Sequence, residues 1–273
     1  MAEAMIYGLI RQKVAPAQAL LAAGPRLERL EQLRERYGIG IELDNAAAAR
    51  QADVVVLAVK PQRLAKVMAG LKEQIPAKAV VLSIIAGASI EKISSGLGHS
   101  LVVRSMPNTP AQIGEGITVW TTSPGVSEEQ AEMTRQILGA LGEEIFVEEE
   151  SYLDMATALS GTGPAYVFLF MEAMVDAGVH LGFPRRIAER LVAQTLRGSV
   201  DYYARREDPV HLARLRNEVT SPGGTSAAAL YYLEKAGFRT AISRAIWAAY
   251  ERSQELGRSG KSHVPEKPQP EEE

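Results

Sequence analysis

The sequence predicts two domains in succession, a doubly wound α/β domain over residues 1–149 and an all-α domain over residues 150–257, with a disordered tail at 258–273. Three observations carry that prediction. Through the first half short apolar runs alternate with helical patterns, and between Ser151 and Leu256 no convincing strand pattern occurs. Beyond Gly257 the composition turns polar, Pro-rich and acidic, ending in Glu271, Glu272 and Glu273.

Met1 to Lys13 sets Met1, Met5 and Leu9, with Ile6 and Ile10, at helical spacing, and the segment starts without a cap. Ala19 to Ala23 is a short strand ending in Gly24 and Pro25, and Leu27 to Tyr37 is a helix closed by Gly38. Gly40 to Leu43 is a second short strand, after which Asp44 or Asn45 caps a small helix reaching Arg50. Asp53 to Val59 runs through Val54, Val55, Val56, Leu57 and Ala58, the pattern of a strand buried on both faces at the centre of a parallel sheet. A helix from Arg63 to Gln74, a strand from Ala79 to Ile85 and a helix from Ser89 to Leu97 follow. Strands are then expected at Leu101 to Arg104, Gly116 to Thr122 and Glu144 to Val147, with a helix from Ser127 to Leu141 before the last.

The second half reads as helices at Tyr152 to Leu181, Pro184 to Arg206, Pro209 to Asn217, Thr225 to Lys235 and Phe238 to Leu256. The first is apolar around most of its circumference, with Val167, Phe168, Leu169 and Phe170 in succession, so a partner subunit is the expected cover. The 273 residues are 46% hydrophobic and 23% charged with a net charge of −3, the profile of a soluble globular protein without the basic excess of a nucleic-acid binder. The absence of cysteine fits a cytoplasmic protein, no apolar run looks long enough to span a bilayer, and the start lacks the pattern of a secretory signal. No metal-ligating cluster is assigned.

Thr220-Ser221-Pro222-Gly223-Gly224-Thr225-Ser226 is a turn opening directly into a helix. The first N–H groups of a helix have no internal partner and carry partial positive charge, so Gly224, Thr225 and Ser226 can receive a carboxylate or phosphate. An ordinary hydroxyl cap is the competing reading. In a doubly wound sheet the loops after successive strands line one crevice, which brings Ala58 to Gln62, Ser83 to Gly87 and Ser105 to Pro110 to a common ligand. In the last of these, Pro107 and Pro110 stiffen the chain around Asn108 and Thr109.

Ala58-Val59-Lys60-Pro61, Ser105-Met106-Pro107-Asn108-Thr109-Pro110, Ser160-Gly161-Thr162-Gly163-Pro164-Ala165-Tyr166 and the Thr220 to Ser226 stretch, in that order, resemble the pyrroline-5-carboxylate reductase family. The resemblance runs from Met1 to Leu256 and implies NADPH- or NADH-dependent reduction of 1-pyrroline-5-carboxylate to proline. It implies a Rossmann-like domain, an all-α dimerisation domain and, in many members, a decamer assembled from dimers. It assigns Asn45, Ala58, Val59, Lys60, Pro61, Ile84, Ile85 and Ala86 to the cofactor, with Met106, Pro107 and Asn108 in the adjoining loop. The substrate carboxylate falls to the N–H groups of Thr225 and Ser226, with the Ser226 hydroxyl near the ring nitrogen as the catalytic contact and Glu150 near the substrate. Ser226 stands where the family more often has Thr, and Glu218 where some members carry a cofactor-contacting Asn.

Between Lys92 and Lys235 there is no lysine, and the histidines there are His99, His180 and His211, read as solvated or helix-surface residues. Reducing a ketone builds alkoxide charge that needs a positioned acid, whereas a protonated cyclic imine arrives with its proton and loses charge as hydride adds. Binding and orientation then do most of the work. Gly24, Pro25 and Arg26 follow the first strand without an Asp or Glu to hold a ribose 2′-hydroxyl, while Arg26 can pair with a 2′-phosphate, which favours NADPH over NADH. The chain opens inside what would be the helix after a Gly-rich turn, so about ten residues carrying the central strand and the pyrophosphate glycines are expected to be missing, with weak NADPH binding as the result. The rival readings are a non-catalytic dimeric binding protein of the same descent and a β-hydroxyacid dehydrogenase relative, which would need a Lys that Ser160 to Tyr166 lacks.

Overall fold

The computed structural model describes residues 1–258, so the tail expected at 258–273 lies, but for Arg258, outside the described residues. Two compact units result, residues 1–162 with the segment from Ala248 onward, and residues 163–247. The fold class matches the expectation, an α/β unit followed by a helical one.

In the first unit, helices α1 (Ala2–Arg11), α2 (Leu27–Tyr37), α3 (Asn45–Ala49), α4 (Pro61–Leu71), α5 (Ile90–Leu97) and α6 (Glu128–Gly139) alternate with strands β1 (Leu21–Ala23), β2 (Gly40–Glu42), β3 (Val54–Leu57), β4 (Val80–Ser83), β5 (Val102–Met106), β6 (Gly116–Thr122) and β7 (Gly142–Phe146). Strands β3 to β7 form one sheet in sequence order, while β1 and β2 pair separately in parallel. Alternation along β4 explains the two helical layers. Val81 faces α3, α4 and α5 through Ala49, Leu64, Met68, Ile93 and Leu97, whereas Val80 and Leu82 face Met5 of α1, Leu138 of α6 and Trp120. Gly8 lets α1 approach the end of α6, because a Cβ there would lie 2.5 Å from the Ala140 carbonyl oxygen.

One expectation about the sheet needs correction. The Val54 to Leu57 run is the edge of the larger sheet and not its centre, since β3 pairs with β4 alone among the described residues and Val56 is 38% exposed. A run of valines records a preference for burial but cannot name the neighbouring strand. The β5–β6 pair is antiparallel, because a loop with a single 3₁₀ turn at Thr109–Ile113 joins them and not a helical crossover.

The helix expected to run unbroken from Tyr152 starts as α7 (Tyr152–Ala156), passes through a π turn at Thr157–Gly161 and continues as α8 (Gly163–His180). The local cause is visible in the bonds. Ser160 Oγ donates to the Ala156 carbonyl, and both the N–H and the hydroxyl of Thr162 donate to the Thr157 carbonyl, a five-residue step. By length and composition the run Tyr152–His180 is long and apolar enough to cross a membrane, which corrects the reading that no segment is.

The second unit contains α8, α9 (Arg185–Ala204), α10 (Leu212–Glu218), α11 (Thr225–Lys235) and the first half of α12 (Phe238–Arg258). Helices α8 and α9 pack closely where Gly178 meets Ala188, and their core is Val175, Ala188 and Val192 with Met171, Met174, Val179 and Leu196 around it. Phe168 and Leu169 remain 60% and 67% exposed, as sequence reasoning anticipated for a face awaiting a cover.

Candidate active site

Strands β3, β4 and β5 run parallel with Leu57 beside Ser83 and Ser83 beside Arg104, so the loops that leave their C-terminal ends emerge along one edge. This brings together Ala58, Val59, Lys60 and Pro61, then Ile84, Ile85 and Ala86, then Met106, Pro107 and Asn108. Helix α4 begins at Pro61, two residues earlier than its pattern suggests, with Lys60 at the cap position and no side chain bonded to the first turn. Gly24 and Arg26 leave the separate two-stranded sheet, and Asn45 opens α3, which packs on both β1 and α4. Asp44, and not Asn45, caps that helix by accepting from the Ala46 N–H at 2.9 Å. Arg26 is exposed at the start of α2, again without a side-chain cap.

The loops are themselves fastened. Ser105 Oγ donates to the Ser83 carbonyl at 3.0 Å, and the Ser83 hydroxyl accepts from the Ile85 N–H. The Asn108 side-chain oxygen accepts from the Ile117 N–H at 3.0 Å, so the carbonyl half of that amide is spent on the β5–β6 connection. A Cβ on Gly161 would lie 2.6 Å from the Met106 methyl carbon, so Met106 lies directly against the π turn.

Glu150 is drawn into a group that sequence reasoning missed. Buried Arg104 forks between Glu150 Oε1 at 2.9 Å and Asp154 Oδ1 at 2.8 Å, and Asp154 also accepts from the Ser253 hydroxyl at 2.9 Å. The same Glu150 oxygen accepts the Ile90 N–H at 2.8 Å, at the positive end of α5. The available signal was one arginine inside Val102-Val103-Arg104-Ser105-Met106, a charge in a strand that is otherwise buried. His180 and His211 are exposed at helix ends, as expected, whereas His99 is partly buried. His99 bonds the Ala79 carbonyl at 2.7 Å, and His211 accepts the Ala213 N–H at the start of α10.

In the second unit, Gly224 is the cap residue of α11 and no side chain bonds the first turn, which overturns the hydroxyl-cap reading of Thr225 and Ser226. Gly223 takes a left-handed φ of 73°, and the Gly224 N–H donates to the Ser221 carbonyl at 3.0 Å. A Cβ on Gly224 would come within 2.6 Å of the Ser221 hydroxyl. The turn therefore delivers the chain to the helix with no side chain capping its leading N–H groups and the Thr225 and Ser226 hydroxyls beside them. Glu218 pairs with Arg214 at 3.4 Å and Arg206 at 3.8 Å.

Residues 150–256 match the family described as "Pyrroline-5-carboxylate reductase dimerisation", and residues 1–87 match "NADP oxidoreductase coenzyme F420-dependent". The chain is 40% identical over 258 residues to a pyrroline-5-carboxylate reductase of Synechocystis, covering 94% of this chain and 95% of that one. It is 34% identical to one of Arabidopsis thaliana, covering 95% and 93%. Among solved structures, a pyrroline-5-carboxylate reductase of Coxiella burnetii superposes with a TM-score of 0.86 at 35% identity, covering 94% of this chain and 95% of that one. The Plasmodium falciparum pyrroline carboxylate reductase, solved with NADP bound, gives 0.84 at 32% identity, covering 93% of each.

Proposed function

The chain belongs to the pyrroline-5-carboxylate reductase family, and from that premise we propose that it reduces the imine of 1-pyrroline-5-carboxylate to L-proline at the expense of NADPH, with NADH as the weaker donor. The single observation that carries the reading is the start of α11 at Thr225 and Ser226, capped by no side chain and suited to a carboxylate, in the stretch between Lys92 and Lys235 that holds no lysine. Toward a dinucleotide the chain offers the starts of α2 and α4, which no side chain caps, and Arg26, which has no ion pair among the described residues, a set that goes with the weak NADPH binding expected from the sequence. When bound, the reduced nicotinamide supplies the hydride.

The chain's own part is binding and orientation. Thr225 and Ser226 N–H groups hold the substrate carboxylate, and the Ser226 hydroxyl accepts from the ring N–H of the protonated imine, fixing which carbon is presented. As hydride adds to that carbon, the C=N π electrons become the nitrogen lone pair and the positive charge disappears. No side chain has to donate a proton to the reacting atoms during that step. Arg26 meets the 2′-phosphate that separates NADPH from NADH. A homodimer formed through the exposed face of the second unit, with five such dimers making a decamer, is the proposed assembly.

The test is NADPH oxidation by the purified chain with 1-pyrroline-5-carboxylate, with L-proline quantified as product. Equimolar proline and NADP⁺ support the reading. A folded dimer that turns over neither NADPH nor NADH with this substrate would overturn it in favour of a binding role.

A further inference from the structure

We propose that Arg104 and the C-terminal turn of α12 clamp the segment between β4 and α5, which makes Arg104 the positioning residue for the Ile84–Ala86 loop. Arg104 is buried on β5, its side chain 6% exposed, and its two terminal nitrogens reach in different directions, to Glu150 and to Asp154. Each carboxylate passes the connection on. Glu150 accepts the Ile90 N–H and so holds the far end of the segment, while Asp154 accepts the hydroxyl of Ser253, which is almost wholly buried on α12.

Ser253 and Gly257 are four residues apart and share one face of that helix. At Gly257 the helix meets the middle of the same segment. A Cβ on Gly87 would lie 3.0 Å from the Gly257 nitrogen and from the Leu256 Cβ, and a Cβ on Gly257 would lie 3.1 Å from the Gly87 oxygen. Gly87 has a φ of 70°, so neither glycine has an easy replacement. The segment is thus gripped at Gly87 and at Ile90 by groups that converge on one guanidinium.

An arginine fork suits this task because its donors are fixed in a plane and bind two acceptors at a set angle, which a lysine cannot reproduce. Without it, Glu150 and Asp154 would be left as neighbouring, partly buried carboxylates. That the gripped loop holds a dinucleotide rests on the function proposed above. That it is gripped does not.

The experiment measures amide hydrogen exchange across residues 84–90 and, in parallel, the NADPH dissociation constant and the KM for the imine, in the wild type, Arg104→Lys and Ser253→Ala. The clamp predicts that both variants fold, that exchange at residues 84–90 speeds up by about tenfold in Arg104→Lys and less in Ser253→Ala, and that distant strands such as β7 keep their rates. NADPH affinity should weaken in the same order, and by a larger factor than the imine KM rises. Unchanged exchange at 84–90 in a folded variant would overturn the clamp, as would acceleration spread evenly over the first unit. Should Arg104→Lys fail to fold, Ser253→Ala alone decides by the same criterion. Faster exchange at 84–90 with no NADPH binding even in the wild type would leave the clamp standing and remove the cofactor assignment.

Discussion

Trp120 lies wholly buried in the first unit with its indole N–H donated to Glu144, whereas Trp247 in the second is 61% exposed. The same division runs through both units. Strands β4 and β5 bury Val80, Val81, Leu82, Val102 and Val103 completely between two layers of helices, but among the described residues the second unit buries only Val175, Ala188 and Val192 of its apolar side chains. Since apolar burial stabilises by roughly 25 cal/mol per Å² removed from water, the first unit draws its stability from its own chain. The second keeps a larger share of its apolar surface exposed. A cofactor-binding half must hold loop ends in register, while a half built to pair can keep its largest apolar surface for its partner.

The sharpest way to break the comparison is Trp120→Ala. Removing a fully buried indole should cost about 3–5 kcal/mol, and calorimetry should show the transition of the first unit lowered while dimerisation of the surviving folded protein is unaltered. Leu169→Asp attacks the other side. A charge on the exposed face of α8 should weaken association by about thirtyfold, roughly 2 kcal/mol, seen by analytical ultracentrifugation, with the near-ultraviolet signal of Trp120 preserved. If Leu169→Asp left the oligomer intact, the exposed face would not be its interface.

Ser226→Ala sharpens the distinction of roles. Loss of one hydrogen bond to the charged imine should lower kcat/KM for that substrate by about tenfold, near 1.4 kcal/mol, while NADPH affinity, a property of the first unit, stays constant. A matching loss of NADPH affinity would contradict the division. The smallest effect concerns Glu3, which takes bonds from Arg29, Arg36 and Tyr37 and so ties α1 to α2. Burial alone would raise its pKa, but the bonds from Tyr37 and Arg29 and the charges of Arg29 and Arg36 hold it below the ordinary carboxylate value. Because the folded value is depressed, its contribution is present above the ordinary value and is lost as the pH falls through the folded one. Glu3→Gln should therefore be less stable than the wild type near neutrality by under about 1 kcal/mol, and the two should converge on acidification in chemical denaturation curves.

Local chemistry made much of this legible in the sequence. The Pro222-Gly223-Gly224 turn and the helix it opens depend on residues within a few positions, and so does the close of α2 at Gly38. What stayed hidden depends on partners far away in the chain. Arg104 meets Glu150, 46 residues on, and Asp154, 50 residues on, while Asp154 meets Ser253 across 99. The edge position of β3 is likewise set by which strand lies beside it, and the π turn at Thr157–Gly161 by hydroxyl bonds that a helical pattern does not register. Asn108 shows the intermediate case, a residue rightly placed at the strand ends whose side-chain oxygen serves the backbone of Ile117.

The most direct measurement is the fate of the hydride. With NADPH deuterated at the transferable position of the nicotinamide and 1-pyrroline-5-carboxylate as substrate, the proline formed should carry one deuterium on the ring carbon that was doubly bonded to nitrogen, in equal amount to the NADP⁺ released. NADPH consumption without label at that carbon, or no turnover by a folded dimer, would contradict imine reduction by this chain.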